Sequence, residues 1–134
     1  MDASAKFELI RTFFEEEVSK RKLSENGYVK TTSIGHFHPS RITRINRGLE
    51  ILIAEGIIDA STWFLDAGGG DGRIVILTAG KYNIPSIYVE YDEELISLAK
   101  ANIHNSKISA VLNGIPLIIA EGDFTDDETY LKVG

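Results

Sequence analysis

The stretch DAGGGDG, residues 66–72, limits the fold more than any other part of this chain. It stands between two apolar runs, TWFL before it and RIVIL after it. Glycine at this density weakens a regular element, because it loses more conformational freedom on folding than any other residue. A run of it survives where the backbone must turn in ways closed to other residues, or where something approaches too near for a side chain. An apolar strand, a glycine turn and a helix together bring bare backbone against a ligand at a helix N-terminus.

The flanking sequence fits that arrangement. TWFLDA, from residue 62, has no helical period and reads as a buried strand, and RIVILTAGKYN reads as a helix. SIYVEY, opened by Pro85, is a second strand, and PLIIAEGD a third. Between them DEELISLAKANIHN is an amphipathic helix with acids in its first turn, where the helix dipole favours them. Alternating strands and helices with nearly continuous apolar strands mean β-α-β-α-β units and a parallel sheet covered on both faces. Ahead of them, Phe7, Ile10, Phe13, Phe14 and Val18 recur at helical spacing over residues 4 to about 24, with Asp2 or Ser4 as cap and Asn26-Gly27 as stop. Residues 27–40 show no period and read as a loop. A second helix spans about 40 to 56, with Ile42, Ile45, Leu49, Leu52 and Ile53 as its apolar stripe, Ser40 as N-cap and Gly56 at its end. The expected class is α/β, a Rossmann-like parallel sheet preceded by two helices. The expected division is an N-terminal helical segment and loop at 1–60 and a ligand-binding half at 61–134.

Two glycine spacings compete at the turn. The dinucleotide fingerprint G-x-G-x-x-G is met by Gly68 and Gly70, but Arg73 stands where the third glycine belongs. The spacing Asp66-x-Gly68-x-Gly70-x-Gly72 is met in full. A ligand with a ribose also needs a carboxylate at the tip of the next strand, about 20 residues on, and Glu90 ends SIYVE at that distance. Asp92, its neighbour, suits the cap of the helix that follows. The third strand ends in EGDFTD. Plain alternatives stand beside each feature: a glycine turn with no ligand, a surface carboxylate at Glu90, a turn-forming Asp123 and a core Phe124.

Taken in order, DAGGGDGRIVI, VEYDEELISLAKANI and GDF over residues 62–127 resemble the class I S-adenosylmethionine-dependent methyltransferases, and look closest to the branch containing non-SET protein-lysine methyltransferases. The resemblance implies S-adenosyl-L-methionine as cofactor. It places the methionine end over Asp66, Ala67, Gly68 and Gly70, the ribose at Glu90 beside Tyr91, and the adenine at Asp123 and Phe124. It marks Tyr28 and Thr31 as lid residues over the cofactor. Many relatives carry a larger or hydroxylated residue where Gly69 stands. The family sheet has seven strands with the first strand central, and three are legible here. The chain is therefore expected to be incomplete relative to that fold: part of a longer enzyme, or a half that self-associates through the unpaired edge of its first strand. Catalytic residues stay unassigned, and protein lysine, RNA and small molecules all remain as acceptors. A nicotinamide-dependent oxidoreductase fragment and a non-catalytic half-domain in an assembly are the alternatives.

Composition narrows the rest. The 134 residues are 43% hydrophobic and 25% charged, ordinary for one folded domain. A net charge of −6 argues against non-specific nucleic-acid binding. There is no cysteine, so thiolate chemistry is excluded. No apolar run approaches the ~18 residues of a membrane span, and the N-terminus does not read as a signal peptide; a soluble cytoplasmic protein with no membrane partner is expected. His36-x-His38 finds no third ligand at metal spacing, so no metal is expected. Arg41, Arg44 and Arg47 line one side of the second helix and suit either solvent or an acidic partner such as RNA phosphate. No G-x-S-x-G elbow and no phosphate-binding G-x-x-x-x-G-K-[ST] loop occurs.

Overall fold

A computed structural model of the chain describes residues 1–18, 30–32, 35–37 and 40–131. Helix α1 spans Ala3–Thr12 and runs into a π-helical turn, Phe13–Val18. Asp2 caps it, its Oδ1 accepting the Ala5 N–H at 2.8 Å. Phe13 and Phe14 close α1 as an edge-to-face pair with centroids 5.1 Å apart, and both are buried.

Residues read as a featureless loop contain a short antiparallel hairpin, β1 (Lys30–Thr32) with β2 (Gly35–Phe37), in which Thr31 pairs with His36. Three residues per strand are too few to show an alternation, so the pattern gave no warning. Helix α2, Ile42–Ala54, buries Ile42 and Leu49. It ends as expected at Gly56. With φ +71, Gly56 donates to Ile53 O while Ile57 donates to Leu52 O, closing a Schellman turn. Ser40 is not its N-cap. Arg41 occupies that position without a side-chain cap bond, and the Ser40 carbonyl instead accepts Arg73 Nη1 at 2.9 Å.

The sheet follows: β3 (Phe64–Ala67), α3 (Arg73–Tyr82), β4 (Ser86–Glu90), α4 (Glu93–His104), α5 (Ser106–Leu112), β5 (Leu117–Glu121) and α6 (Asp127–Leu131). Its order is β3-β4-β5 and all pairings are parallel, with Asp66 opposite Tyr88 and Glu90 opposite Glu121. This is the expected α/β, Rossmann-like β-α-β-α-β unit. Helix α5 goes beyond expectation. Asn105 ends α4 and restarts a helix, its Oδ1 accepting the Lys107 N–H at 3.0 Å, and Ile108, Val111 and Leu112 then turn inward.

One core joins the early helices to the sheet layer: Ile10, Phe14, Ile42 and Leu49 pack with Ile76, Leu77, Ile108 and Val111. A second cluster, Val75, Tyr88, Ile96 and Ala99, lies between β4, α3 and α4. The expectation of strands covered on both faces holds for β4 and fails for β3. There Leu65 is 44% exposed and the adjoining Trp63 51%. Among the described residues β3 is an edge strand, with β4 on one side only, which leaves its outer side open.

Candidate functional site

The parallel strands bring Ala67, Glu90 and Glu121 to one end of the sheet, and the loops that follow them build a cavity of about 380 Å³. Such a crevice beyond the carboxyl ends of parallel strands is where α/β folds bind ligands. Gly68, Glu90, Tyr91, Gly122, Asp123 and Phe124 line it.

The glycine loop has specific backbone needs. Gly68, Gly70 and Gly72 sit at φ +76, +57 and +86, conformations that other residues adopt only under strain. The N–H groups of Gly68 and Gly69 both donate to Val89 O, at 2.9 and 2.8 Å, which ties the loop to β4. Gly69 has a different reason. A Cβ there would lie 2.3 Å from Tyr88 Cδ2, because the Tyr88 ring passes directly under the loop. The Tyr88 hydroxyl then donates to Gly70 O at 2.6 Å. Tyr88 thus fills the space that a larger residue at 69 would occupy, which accounts for the departure seen in the sequence. Burial, with Glu90 nearby, pushes the Tyr88 hydroxyl well above its ordinary pKa, so it stays a donor. Gly69→Ala is expected to destabilise the fold by roughly 2 kcal/mol through overpacking, read from denaturant unfolding. Tyr88→Val alone should also destabilise, by cavity formation, but in that background the added cost of Gly69→Ala should largely vanish, a non-additivity that a double-mutant cycle reads.

Glu90 is 7% exposed and serves two loops at once. Its Oε1 accepts the Gly70 N–H at 2.9 Å, and its Oε2 accepts Tyr91 N–H at 2.8 Å and Asp92 N–H at 3.0 Å. A carboxylate offers about four acceptor positions, so three are filled and one stays open. Asp92 caps α4, its Oδ2 taking the Leu95 N–H at 3.0 Å. Asp66, at the end of β3, has a buried Oδ2 with no hydrogen-bond partner among the described residues. Burial, then the charges of Glu90 and Asp71, raise its pKa to about 6. Asp71 is itself fully buried but paired: Arg73 Nη2 meets its Oδ2 at 2.6 Å, while Asn102 Nδ2 donates to its backbone carbonyl at 2.9 Å. The Arg73 guanidinium also lies 5.0 Å over the Phe14 ring. Arg73, read from sequence only as a missing glycine, is the clamp that holds the π-helical turn after α1 and the residue leading into α2 to the loop.

On the far wall, Asp123 turns back on its own chain, its Oδ1 accepting Thr125 N–H at 2.8 Å and Thr125 Oγ1 at 2.7 Å. Those bonds hold its carboxyl below the ordinary value. It both forms the turn and lines the cavity. Phe124 is not a core residue. It is 50% exposed, and Tyr91 53%, so two aromatic surfaces lie bare at one opening. Gly122, missed from sequence, sits at φ +147 where a Cβ would lie 2.6 Å from Thr129 Oγ1.

Gly68, Glu90, Tyr91, Asp123 and Phe124 are therefore brought together at the cavity, while Asp66 and Gly70 lie beside it through Glu90. Ala67 ends β3 opposite Val89. Tyr28 lies outside the described residues, and Thr31 is placed in β1 by its backbone alone. Among the described residues no cluster of three or more His, Cys, Asp or Glu suits a metal ion, and no helix is long and apolar enough to cross a membrane.

No protein-family model matches the sequence, and no curated protein matches it. Among solved structures, a crystal structure of an RNA methyltransferase from Salinibacter ruber in complex with S-adenosyl-L-homocysteine is similar, with a TM-score of 0.54 and 27% identity. The match covers 66% of this chain and 52% of that one, so this chain spans about half the length of the solved structure. The chain shares its Rossmann-like fold with a methyltransferase.

Proposed function

We propose that the chain forms the S-adenosylmethionine-binding half of a methyltransferase. The observation that carries this reading is the charge at the glycine loop. A dinucleotide would lay its pyrophosphate at the N-terminus of α3. Here that place is bordered by two carboxylates, Asp66 and Glu90, while the cation beside it, Arg73, is already paired with Asp71. Such a site repels a diphosphate and attracts a cation. S-adenosylmethionine carries its methyl group on a sulfonium, beside an ammonium, and gives it up by in-line displacement.

The residues present fit that ligand. Asp66 has a buried oxygen, unpartnered among the described residues, for the ammonium. Gly68 borders the cavity with nothing within 4 Å of a built Cβ. Glu90 has one open acceptor position for a ribose hydroxyl, and taking a second requires release of a loop N–H. Tyr91 and Phe124 offer apolar faces to the adenine, with Asp123 at its amino group. Displacement at a sulfonium needs positioning more than acid–base groups, so no base is assigned. The protein-lysine reading gains no support from the similar structure, whose protein acts on RNA.

The test is thermal denaturation with four ligands: S-adenosylhomocysteine, S-adenosylmethionine, NAD and NADP. At a hundred times the dissociation constant a ligand adds about 2.7 kcal/mol, which is roughly 5–15 °C for a domain of this size. The two adenosyl ligands are expected to raise Tm by that order and the dinucleotides to leave it unchanged. The reverse pattern would establish the oxidoreductase alternative, and no shift with any ligand would favour a non-catalytic half-domain.

A further inference from the structure

Helix α2 separates its charges. Its single acidic residue, Glu50, is drawn toward α3, where Lys81 Nζ lies 3.7 Å from it and Asn46 Nδ2 donates to it at 3.1 Å. Lys81 Nζ in turn donates to Asn46 Oδ1 at 2.8 Å. That leaves Arg41, Arg44 and Arg47 exposed, with no side-chain partner among the described residues. A second oddity lies among them. Gly48 sits in the interior of α2, exposed, with φ in the helical region and nothing within 4 Å of a built Cβ. Nothing among the described residues requires glycine there, and it weakens the helix by about 1 kcal/mol relative to alanine. Bare backbone flanked by guanidiniums is what a closely approaching anionic chain needs.

The face also has a place relative to the candidate site. Ser40, immediately before Arg41, is hydrogen-bonded by Arg73, the first residue of α3 after the glycine loop. The basic stripe starts at that tether.

From this we infer that the exposed face of α2 is the docking surface for an RNA acceptor, with Arg41, Arg44 and Arg47 on its phosphates and Gly48 allowing the strand to approach. Resting on the methyltransferase reading, this names the acceptor's class. Guanidinium groups pair with phosphate oxygens through two parallel N–H bonds. Steps of three residues advance about 4.5 Å along a helix, which lets long side chains reach successive phosphates. The chain carries −6 overall, so a polyanion is repelled except where positive charge is concentrated, and the stripe orients it.

The test is fluorescence anisotropy of a short fluorescein-labelled RNA of mixed sequence, titrated with the full chain at several salt concentrations. The variants are Arg41→Gln/Arg44→Gln/Arg47→Gln and Gly48→Leu, each checked by circular dichroism. Removing three phosphate contacts should reduce the slope of log K against log salt by about 2. Gly48→Leu should weaken RNA binding at least severalfold while Tm holds or rises, a combination that a structural role for Gly48 does not produce. Unchanged RNA binding in the triple variant overturns the inference. So does displacement of RNA by polyglutamate at equal charge concentration, which would assign the face to an acidic protein. Adenosylhomocysteine stabilisation without RNA binding would fell this inference alone. Arginine-dependent RNA binding without that stabilisation would keep the RNA surface and fell the methyltransferase reading.

Discussion

Replacing Gly68 by valine is expected to abolish binding of S-adenosylhomocysteine, weakening it by roughly a hundredfold or more. Gly68 lines the cavity and is held at φ +76, with its N–H fixed to Val89 O at 2.9 Å. No protein atom lies within 4 Å of a built Cβ, so the new side chain meets the ligand's space rather than the core. The cost to the fold is the strained backbone alone, about 1–3 kcal/mol, whereas an occluded ligand loses more than about 2.7 kcal/mol of binding free energy. Gly68→Ala, with a smaller side chain, should fall between. Calorimetric titration beside a melting curve separates the two effects. Gly68→Val that melts cooperatively and binds like the wild type would show that no ligand passes over this loop.

Asp66→Asn is expected to do two opposite things, stabilising the empty protein and weakening the complex. The Asp66 carboxyl, buried beside Glu90 and Asp71, has its pKa raised from 3.8 to about 6. An acid whose folded pKa is raised holds its proton more tightly folded than unfolded, so stability falls as pH rises between those values. Below 3.8 both states are neutral and nothing is lost; above about 6 the full penalty stands. At pH 7.5 the Asn variant should therefore be more stable by on the order of 1–2 kcal/mol, with the difference vanishing toward pH 4. Adenosylhomocysteine binding should fall on the order of a hundredfold at pH 7.5, since a buried carboxylate is lost from its cation. In the wild type the same binding should weaken as pH drops through about 6, as Asp66 takes up its proton. Equal melting curves for the two proteins across this range would contradict the burial argument, and equal affinities would remove Asp66 from the site.

The parts of the site written in local chemistry were legible in the sequence. Glycines at 68, 70 and 72 announce positive φ, and a carboxylate closing an apolar strand announces Glu90. The open edge of β3, seen among the described residues, was expected from the resemblance, whose sheet places the first strand at its centre. What the sequence hid depends on register and on distant partners. Gly69 is explained only by Tyr88, which lies under the loop because Asp66 pairs with Tyr88 across β3 and β4. Arg73 looked like a flaw in a motif until Asp71, Phe14 and the Ser40 carbonyl closed around it. The cap on α2 was misplaced by one residue, since the helix starts after Arg41 and not after Ser40. Phe124 was open between core and cavity, since an aromatic after a strand suits both, and only its exposure decides.

The central claim is that the crevice beyond β3, β4 and β5 holds an adenosyl cation and not a diphosphate. The most direct measurement is calorimetric titration of the chain with S-adenosylmethionine at pH 7.5, repeated with Glu90→Gln, which preserves side-chain size while removing the charge. One saturable site per chain is expected, at least tenfold weaker in the variant. Heat of dilution alone from a folded chain, or binding indifferent to Glu90→Gln, would contradict it.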